Sequence, residues 1–583
     1  MQFYSVFLTS SCYVLATALS SKLAGYVDQL KEHVKEPCSN QGLPAWLSGY
    51  LFRQLCGAIG PLSATPNYPV GHLFDCVGMV GNFELTNGKI TYSNRYYRTR
   101  PYEIWNSTCR GRESWIVAWD TAYSDINQNS YRVQRATYSS QPNINPNVAF
   151  WMIGSKIQAM EEAQIGYEFN PDNMDMIGLF DYKDTNFGFT AKVTYINNAP
   201  HEQLETDGTV WGTVMGFEPI GNSAYKIRRI VYKIHPKFAN RTVVGKKDMG
   251  RVTVVNSPTV CDPIANRFVF RTANKLKTGY THSFGMTQNY IVLPISSFLF
   301  NPCMLLPEAG DKPSPVFKDY YFFNENTPAS FLVMKKATGE FMAEFTIGQT
   351  PQPLFFTHTI NAFDDEEGNI QIDVITYKNA RVWSEYTSLR SLTSAGDEWP
   401  EEAMANRYKL NMKNGRSSFK EITNTKVIAA EYPQINPAFN SRDYSFVYMV
   451  NYPYSDSSEI IKYNVKTKHM RSWRAPGIYP SEPIFVQEPG KTGEDQGILL
   501  VGAFNSSSKK GVVIALDAQT LLETGRAEAP DLTPFGLHNR FFSHQQLGRS
   551  HASKPAAGVI MLTITIISQR ALSAAKHFIA HNA

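Results

Sequence analysis

The chain has 583 residues with 56 basic and 51 acidic side chains, a net charge of +5, and 75 Phe, Tyr and Trp. That length suits several domains or one large repetitive one, and the aromatic content supplies a core and the lining of apolar cavities. The near balance of charge, with no long Lys/Arg run and no zinc-finger or RNA-binding spacing, excludes nucleic acid as the expected partner, and no stretch of about 18 or more apolar residues predicts a spanning helix.

In chain order, residues 1–40 form a separate N-terminal segment. Its start, MQFYSVFLTSSCYVLATALSSK, is apolar like a signal peptide but lacks a basic beginning and is broken by Thr, Ser and Cys. From about residue 70 to 545 nearly every stretch reads as strand. GKITYSNRYYR, FGFTAKVTYI, AYKIRRIVYKI, RFVFRT, GEFMAEFTI, NIQIDVITY, SFVYMVNY and GVVIALDAQTLLETGRAEA alternate or run apolar, with turn residues in TNGK, NPDN, DEEGN and SSSKKG between them. The stretch from Ser384 to Met412, SEYTSLRSLTSAGDEWPEEAMANRYKLNM, has helical character. Many short strands with few helices mean a barrel, a sandwich stack or a propeller, and one continuous strand-rich region favours the propeller. No repeat is visible, so the blade count does not follow.

Seven cysteines stand far apart, at 12, 38, 56, 76, 109, 261 and 303, without a CxxC. The odd number and the large chain imply no disulfide framework, and a reduced, cytoplasmic compartment is the simpler expectation. Asn106, Asn240 and Asn505 head N-x-S/T triplets at near-chance frequency. Residues 546–583 form a basic, apolar tail. From 532 onward the chain carries no Asp or Glu, but has Arg540, Arg549, Lys554, Arg570 and Lys576 around the apolar run Val559–Ile567. It reads either as a last strand with a frayed end or as a peripheral membrane-surface anchor.

A lone histidine near a strand end is ordinarily a satisfied polar residue. Four of the 12 histidines, however, share one setting. His201 in PHEQLETDGT, His282 in YTHSFGM, His358 in FFTHTINAF and His538 in GLHNRFF all sit at loop–strand junctions among aromatic or β-branched residues. Inner strands of a propeller converge on one axis, so histidines from different blades can meet there. Four neutral imidazoles suit a borderline divalent metal such as Fe(II) or Zn(II). Glu162, Glu431 and Glu482 are each flanked by apolar or aromatic residues. A buried carboxylate needs a partner, and either a metal-bound imidazole's free N–H or a backbone amide or Arg can serve.

Taken together, HLFD, NGKITYSNRYYRT, HEQLETDGT, THSFGMTQNYIVL, HTINAFDDEEG, EYPQIN, YPSEPIFV and GLHNRFF resemble, in order, the carotenoid cleavage oxygenase family and its animal branch. The resemblance implies an all-β fold, a seven-bladed β-propeller over residues 41–545, capped by helices and loops, with a metal on its axis. It implies one Fe(II) per chain held by His201, His282, His358 and His538, with Glu162, Glu431 and Glu482 behind them and Glu161 as the neighbouring alternative to Glu162. The implied activity is dioxygenase cleavage of a C=C bond of a carotenoid or apocarotenoid with O₂, to carbonyl products such as retinal. A retinoid isomerohydrolase and a non-catalytic carotenoid- or lipid-binding propeller are the alternatives. The sequence departs from the family where a Gly-rich turn is replaced by FRQLCGAIGP, where Cys76 follows HLFD in place of Gly, and over 104–147. That last region lacks the Pro-Asp-Pro-Cys-Lys segment of the visual-cycle isomerase, which disfavours the isomerohydrolase.

Overall fold

The computed structural model describes residues 30–58, 74, 76–99, 102–103, 106, 145–163, 165–183, 193–221, 223–264, 267–271, 276–306, 320–347, 352–383, 403–422, 429–453, 455–534 and 536–549. Within them the alternating stretches become strands. AYKIRRIVYKI is the strand Ala224–Ile234, with Ile227, Val231 and Ile234 buried. The turn signals lie between paired strands. Asn87 and Gly88 take φ of 51° and 72° and join Val77–Thr86 to Lys89–Tyr96, the left-handed pair that a two-residue hairpin turn requires.

Seven of the sheets have four or five strands and are the blades of a β-propeller, while Cys261–Ile264 with Arg267–Phe270 and Phe298–Phe300 with Tyr321–Phe323 form two further two-stranded sheets. Blade I is Ala149–Ile153, Lys156–Met160, Tyr167–Phe169 and Met176–Leu179. Blade II is Thr194–Ile196, Val210–Gly221, Ala224–Ile234 and Arg241–Thr253, with Gln203–Leu204 paired to its second strand. Blade III is Gly285–Met286, Tyr290–Ile295, Ser330–Lys335 and Phe341–Thr346. Blade IV is Phe355–Asp364, Ile370–Tyr377, Met404–Asn411 and Arg416–Glu421. Blade V is Ala430–Gln434, Phe446–Asn451, Glu459–Asn464 and Met470–Trp473. Blade VI is Ile478–Gln487, Gly497–Asn505, Lys510–Asp517 and Glu523–Glu528. Blade VII joins the two ends of the chain: Gly536–Ser543 pairs with Gly49–Ala58, which continues into Val77–Thr86 and Lys89–Tyr96.

The core lies between blades. Leu51, Phe83, Leu500 and Val513 fill the wedge between VI and VII. Val292, Phe331, Ile372 and Tyr408 fill that between III and IV, and Trp151, Met160, Val214 and Tyr232 that between I and II. Each such side chain, fully buried, contributes about 1.5–3 kcal/mol. The blades lie close at Gly285, where a Cβ would lie 2.8 Å from that of Ala362 and 2.9 Å from Ile372 Cδ1, so glycine lets the inner strand of blade III lie against blade IV.

Several expectations need correction or limits. Residues 404–411 of the expected helix are a strand, and residues 384–402 of it lie outside the described residues. Ala405, Tyr408 and Leu410 are buried against blade neighbours, and this packing overrides the helix formers around them. Among the described residues the complete helical elements are the 3₁₀ turns Pro302–Leu305 and Pro437–Phe439, with single helical turns at 102–103 and 381–383. The expectation of no disulfides is overturned: Cys261 is bonded to Cys303 and Cys56 to Cys76, through pairings that blade topology creates and sequence spacing hides. His33–Pro37 and Ser39–Gln41, which begin within the expected segment 1–40, are edge strands of blades VII and VI. The signal-like start and the tail beyond residue 549 lie outside the described residues.

Candidate metal centre

The four histidines come from four blades. His201 follows the short first strand of blade II, His282 immediately precedes that of blade III, and His358 and His538 lie within the inner strands of blades IV and VII. One ring nitrogen of each lies within 4.8 Å of those of all the others. Five of the six ring pairs have centroids 4.3–5.0 Å apart, and His282 and His538 stand farthest apart at 6.3 Å.

Behind three of the rings stand the three glutamates, from the remaining blades. The Nδ1 of His358 is 2.7 Å from Glu431 Oε2, that of His538 3.1 Å from Glu482 Oε1, and that of His282 3.3 Å from Glu162 Oε1. Tyr280 donates to Glu162 and lies 3.0 Å from the same His282 nitrogen. Glu161 instead accepts from the backbone N–H of Asn145, away from the cluster. The carboxylates of Glu431 and Glu482 opposite Nδ1 place the proton there on His358 and His538 and leave their Nε2 lone pairs facing inward. These two Nε2 atoms are then 3.3 Å apart, and those of His201 and His282 lie 3.1 Å apart. Lone pairs facing each other at that distance repel unless a cation lies among them. The donor set fits a metal ion on this ground.

The electrostatics agree. Burial, then repulsion among neighbouring imidazoles, holds His201 and His282 well below the ordinary histidine range, so they are neutral ligands. Burial alone would raise the Glu431 carboxyl. The electrostatic attraction of the His358 ring and hydrogen bonds from His358, Tyr377 and Thr357 outweigh it and keep the group below its ordinary value. Glu162 is pushed up to about 8 by burial, which the Tyr280 hydrogen bond only partly offsets.

Residues that sequence reasoning missed tie the blades together beside each histidine. Asn197 grips the backbone of Thr281, accepting from its N–H at 2.9 Å and donating to its carbonyl at 3.0 Å. Buried Arg229, pushed down to about 10 by burial, donates to Asn197 Oδ1 and to the Gly279 carbonyl. Ser283 donates to the Thr357 carbonyl at 3.1 Å and accepts from the Thr359 N–H, bracketing His358. Arg540 pairs with Glu202, next to His201. The one available signal was adjacency: each of these residues, or its partner, lies within a few positions of a candidate histidine.

The cluster opens on a small pocket, partly open to solvent. Phe74, Val148, Val382, Trp383, Tyr432 and Leu537 line it beside His282, His358 and His538. The Trp383 ring stands edge-on to His282 at 5.0 Å, and Tyr432 packs 5.3 Å from His538. Such a lining takes an apolar ligand up to the metal site.

A family model described as retinal pigment epithelial membrane protein matches residues 27–543. The human mitochondrial carotenoid-cleaving dioxygenase is 25% identical over 549 residues, covering 85% of this chain and 86% of that protein. The carotenoid isomerooxygenase of Galleria mellonella is 24% identical, covering 88% and 94%. Among solved structures, a mutant of Synechocystis apocarotenoid oxygenase superposes with a TM-score of 0.66 at 18% identity, covering 90% of this chain and 99% of that one. The cobalt-substituted form of the same oxygenase gives 0.64 at 19% identity, covering 90% and 98%. These likenesses carry the propeller fold.

Proposed function

The chain belongs to the family of the retinal pigment epithelial membrane protein and the carotenoid-cleaving oxygenases, and from that premise we propose that it is an Fe(II)-dependent dioxygenase splitting one C=C bond of a carotenoid or apocarotenoid. The observation that carries the reading is the four-imidazole cluster, three of its rings backed by glutamates, opening on an aromatic pocket. His201, His282, His358 and His538 would hold the ion. Bound there, ferrous iron would supply the one-electron chemistry with O₂ that a closed-shell polyene does not undergo alone. The chain's residues do the rest. Glu431 and Glu482 fix the His358 and His538 rings with Nδ1 protonated, and neutral ligands leave the ion its full charge. Trp383, Phe74, Tyr432 and Leu537 hold the polyene and exclude water, so that one double bond is presented at a time. Both atoms of O₂ enter the two carbonyl products, so no external reductant is needed. The two disulfides support maturation in an oxidising compartment over the cytoplasm expected above.

The test supplies purified, iron-loaded protein with a panel of carotenoids, apocarotenoids and retinyl esters under ¹⁸O₂. Label in both carbonyl fragments is expected. Conversion of an ester to an isomerised alcohol without O₂ would assign the isomerohydrolase reaction. Stable binding of a carotenoid without turnover would make the chain a carrier.

A further inference from the structure

Cys56 and Cys76 stand at two of the places where the sequence departs from its family, in FRQLCGAIGP and directly after HLFD. The fold joins them. Cys56 lies near the end of Gly49–Ala58 in blade VII, and Cys76 directly before Val77–Thr86, the strand paired with it. The bonded pair is buried, with Cα atoms 5.5 Å apart. Two residues before Cys76 comes Phe74, which lines the pocket. The Phe74 ring meets Trp383 edge-on at 4.9 Å, and Trp383 in turn meets His282 edge-on at 5.0 Å. Two asparagines at the entry to blade I grip the same backbone. Asn147 Nδ2 donates to the Phe74 carbonyl at 3.0 Å and Asn145 Nδ2 to that of Cys76 at 2.7 Å, while Asn145 Oδ1 accepts from the Gly78 N–H at 2.9 Å. Val148, next to Asn147, lines the pocket as well.

We propose that Cys56 and Cys76 are positioning residues for the reaction proposed above: their bond holds Phe74 against Trp383, and so sets how far a polyene slides past the metal centre and which double bond stops there. The inference rests on that reading of the pocket. Hydrogen bonds from asparagine side chains and an edge-to-face ring pair are individually weak, and a local opening breaks them. A covalent bond to the neighbouring strand survives such an opening and keeps the wall in place. Position matters more for a polyene than for most substrates. Its double bonds are nearly identical in chemistry, so only the place at which the chain stops distinguishes one from the next, and a small displacement of the wall is enough to change it. The second bridge, Cys261–Cys303, joins the strand Cys261–Ile264 to the 3₁₀ turn Pro302–Leu305 and serves as the control.

The experiment compares the unaltered full-length protein with the double variant Cys56→Ala, Cys76→Ala, or with Cys76→Ser should the double variant not fold. Mass spectrometry of alkylated, unreduced peptides should find Cys56 linked to Cys76, and alkylated thiols at both positions would overturn the proposal. Hydrogen exchange reads the wall without catalysis. Without the bridge, peptides containing Phe74 or Trp383 should exchange faster by roughly ten- to a hundredfold, loop-closure entropy across 20 residues setting the upper bound, with Tyr290–Ile295 unchanged. Equal exchange at Phe74 and Trp383 would overturn the proposal whatever the activity. With a panel of carotenoids and apocarotenoids, the unaltered protein should give one pair of fragments from each substrate that it cleaves. The bridge variant should give several, with KM raised roughly 2–10-fold, as for the loss of one aromatic contact, and Fe(II) affinity unchanged. Weakened Fe(II) binding would make the bridge a general support of the fold and overturn the proposal. Phe74→Ala should give the same wider set of fragments, and adding it to the bridge variant should change that set no further. Additive effects would mean that the bridge acts elsewhere, which overturns the proposal equally. Cys261→Ala with Cys303→Ala should keep the single pair of fragments, and a wider set there would overturn the assignment to Cys56 and Cys76. Absence of cleavage by the unaltered protein would refute the dioxygenase reading and leave hydrogen exchange to decide this one.

Discussion

Replacing Glu431 by Gln keeps the size of the side chain and removes its charge. The carboxylate accepts from His358 Nδ1 at 2.7 Å through Oε2, and from Thr357 Oγ1 at 2.7 Å and Tyr377 Oη at 2.6 Å through Oε1. An amide can sit there in two ways. With its NH₂ toward His358, the ring must accept at Nδ1 and carry its proton on Nε2, which takes away the inward lone pair. With its carbonyl toward His358, the tautomer survives, but the bond is no longer charge-assisted and two buried hydroxyls lose their acceptor. Either arrangement costs about 1.5–3 kcal/mol, or roughly 10–100-fold in metal affinity. The assay is anaerobic titration of apoprotein with Fe(II) against a competing chelator, with circular dichroism as the check on fold. An unchanged affinity in a folded variant would refute the argument that this carboxylate sets the orientation of the ring.

Ser283→Ala removes the hydroxyl that brackets His358, leaving the Thr359 N–H and the Thr357 carbonyl of blade IV unpaired. The cost is about 1–3 kcal/mol for a buried unsatisfied group, read as a lower urea midpoint together with weaker metal binding, and a midpoint equal to that of the unaltered protein would count against the clamp. Cys261→Ser opens a bridge across 42 residues of sequence, worth up to about 4 kcal/mol on loop-closure entropy. Reductant should lower the thermal midpoint of the unaltered protein by more than that of the variant, which keeps the Cys56–Cys76 bridge, and equal shifts in the two would mean that the Cys261–Cys303 bridge does not stabilise the fold.

What was legible in the sequence was local. Strand alternation, Asn-Gly and Asp-rich turns, and histidines at strand mouths are each set within a few residues, and the seven sheets follow them. What was not legible was pairing across blades. Ser283 meets the carbonyl of Thr357 across 74 residues, Asn197 meets Thr281 across 84, and Arg540 meets Glu202 across 338. No local period encodes such partners, because they exist only once the ring has placed blade beside blade. The disulfides were hidden for the same reason. The strand Met404–Asn411 was misread because Glu401, Glu402, Ala403, Met404 and Ala405 favour a helix locally, while the third position in blade IV buries alternate residues of the strand that follows them.

Every blade contributes one member of the centre: Glu162 from I, His201 from II, His282 from III, His358 from IV, Glu431 from V, Glu482 from VI and His538 from VII. The consequence concerns assembly. His538 lies on the strand that closes the ring by pairing with Gly49–Ala58, nearly the whole chain away in sequence. Its partner Glu482 also accepts the backbone N–H of Asn539 at 2.6 Å, so one carboxylate both orients the ring and holds the closing strand. Before closure the cluster lacks one imidazole, and after closure the inward lone pairs of His358 and His538 face each other with no proton between them. A metal ion therefore binds the closed ring in preference to the open one, and its binding energy is added to the stability of closure. The seam where the two ends of the chain meet is the weakest joint of a propeller on entropic grounds, since it closes the longest loop. The metal centre is placed where it strengthens that joint, so the same four imidazoles that would serve catalysis also couple catalytic competence to an intact ring.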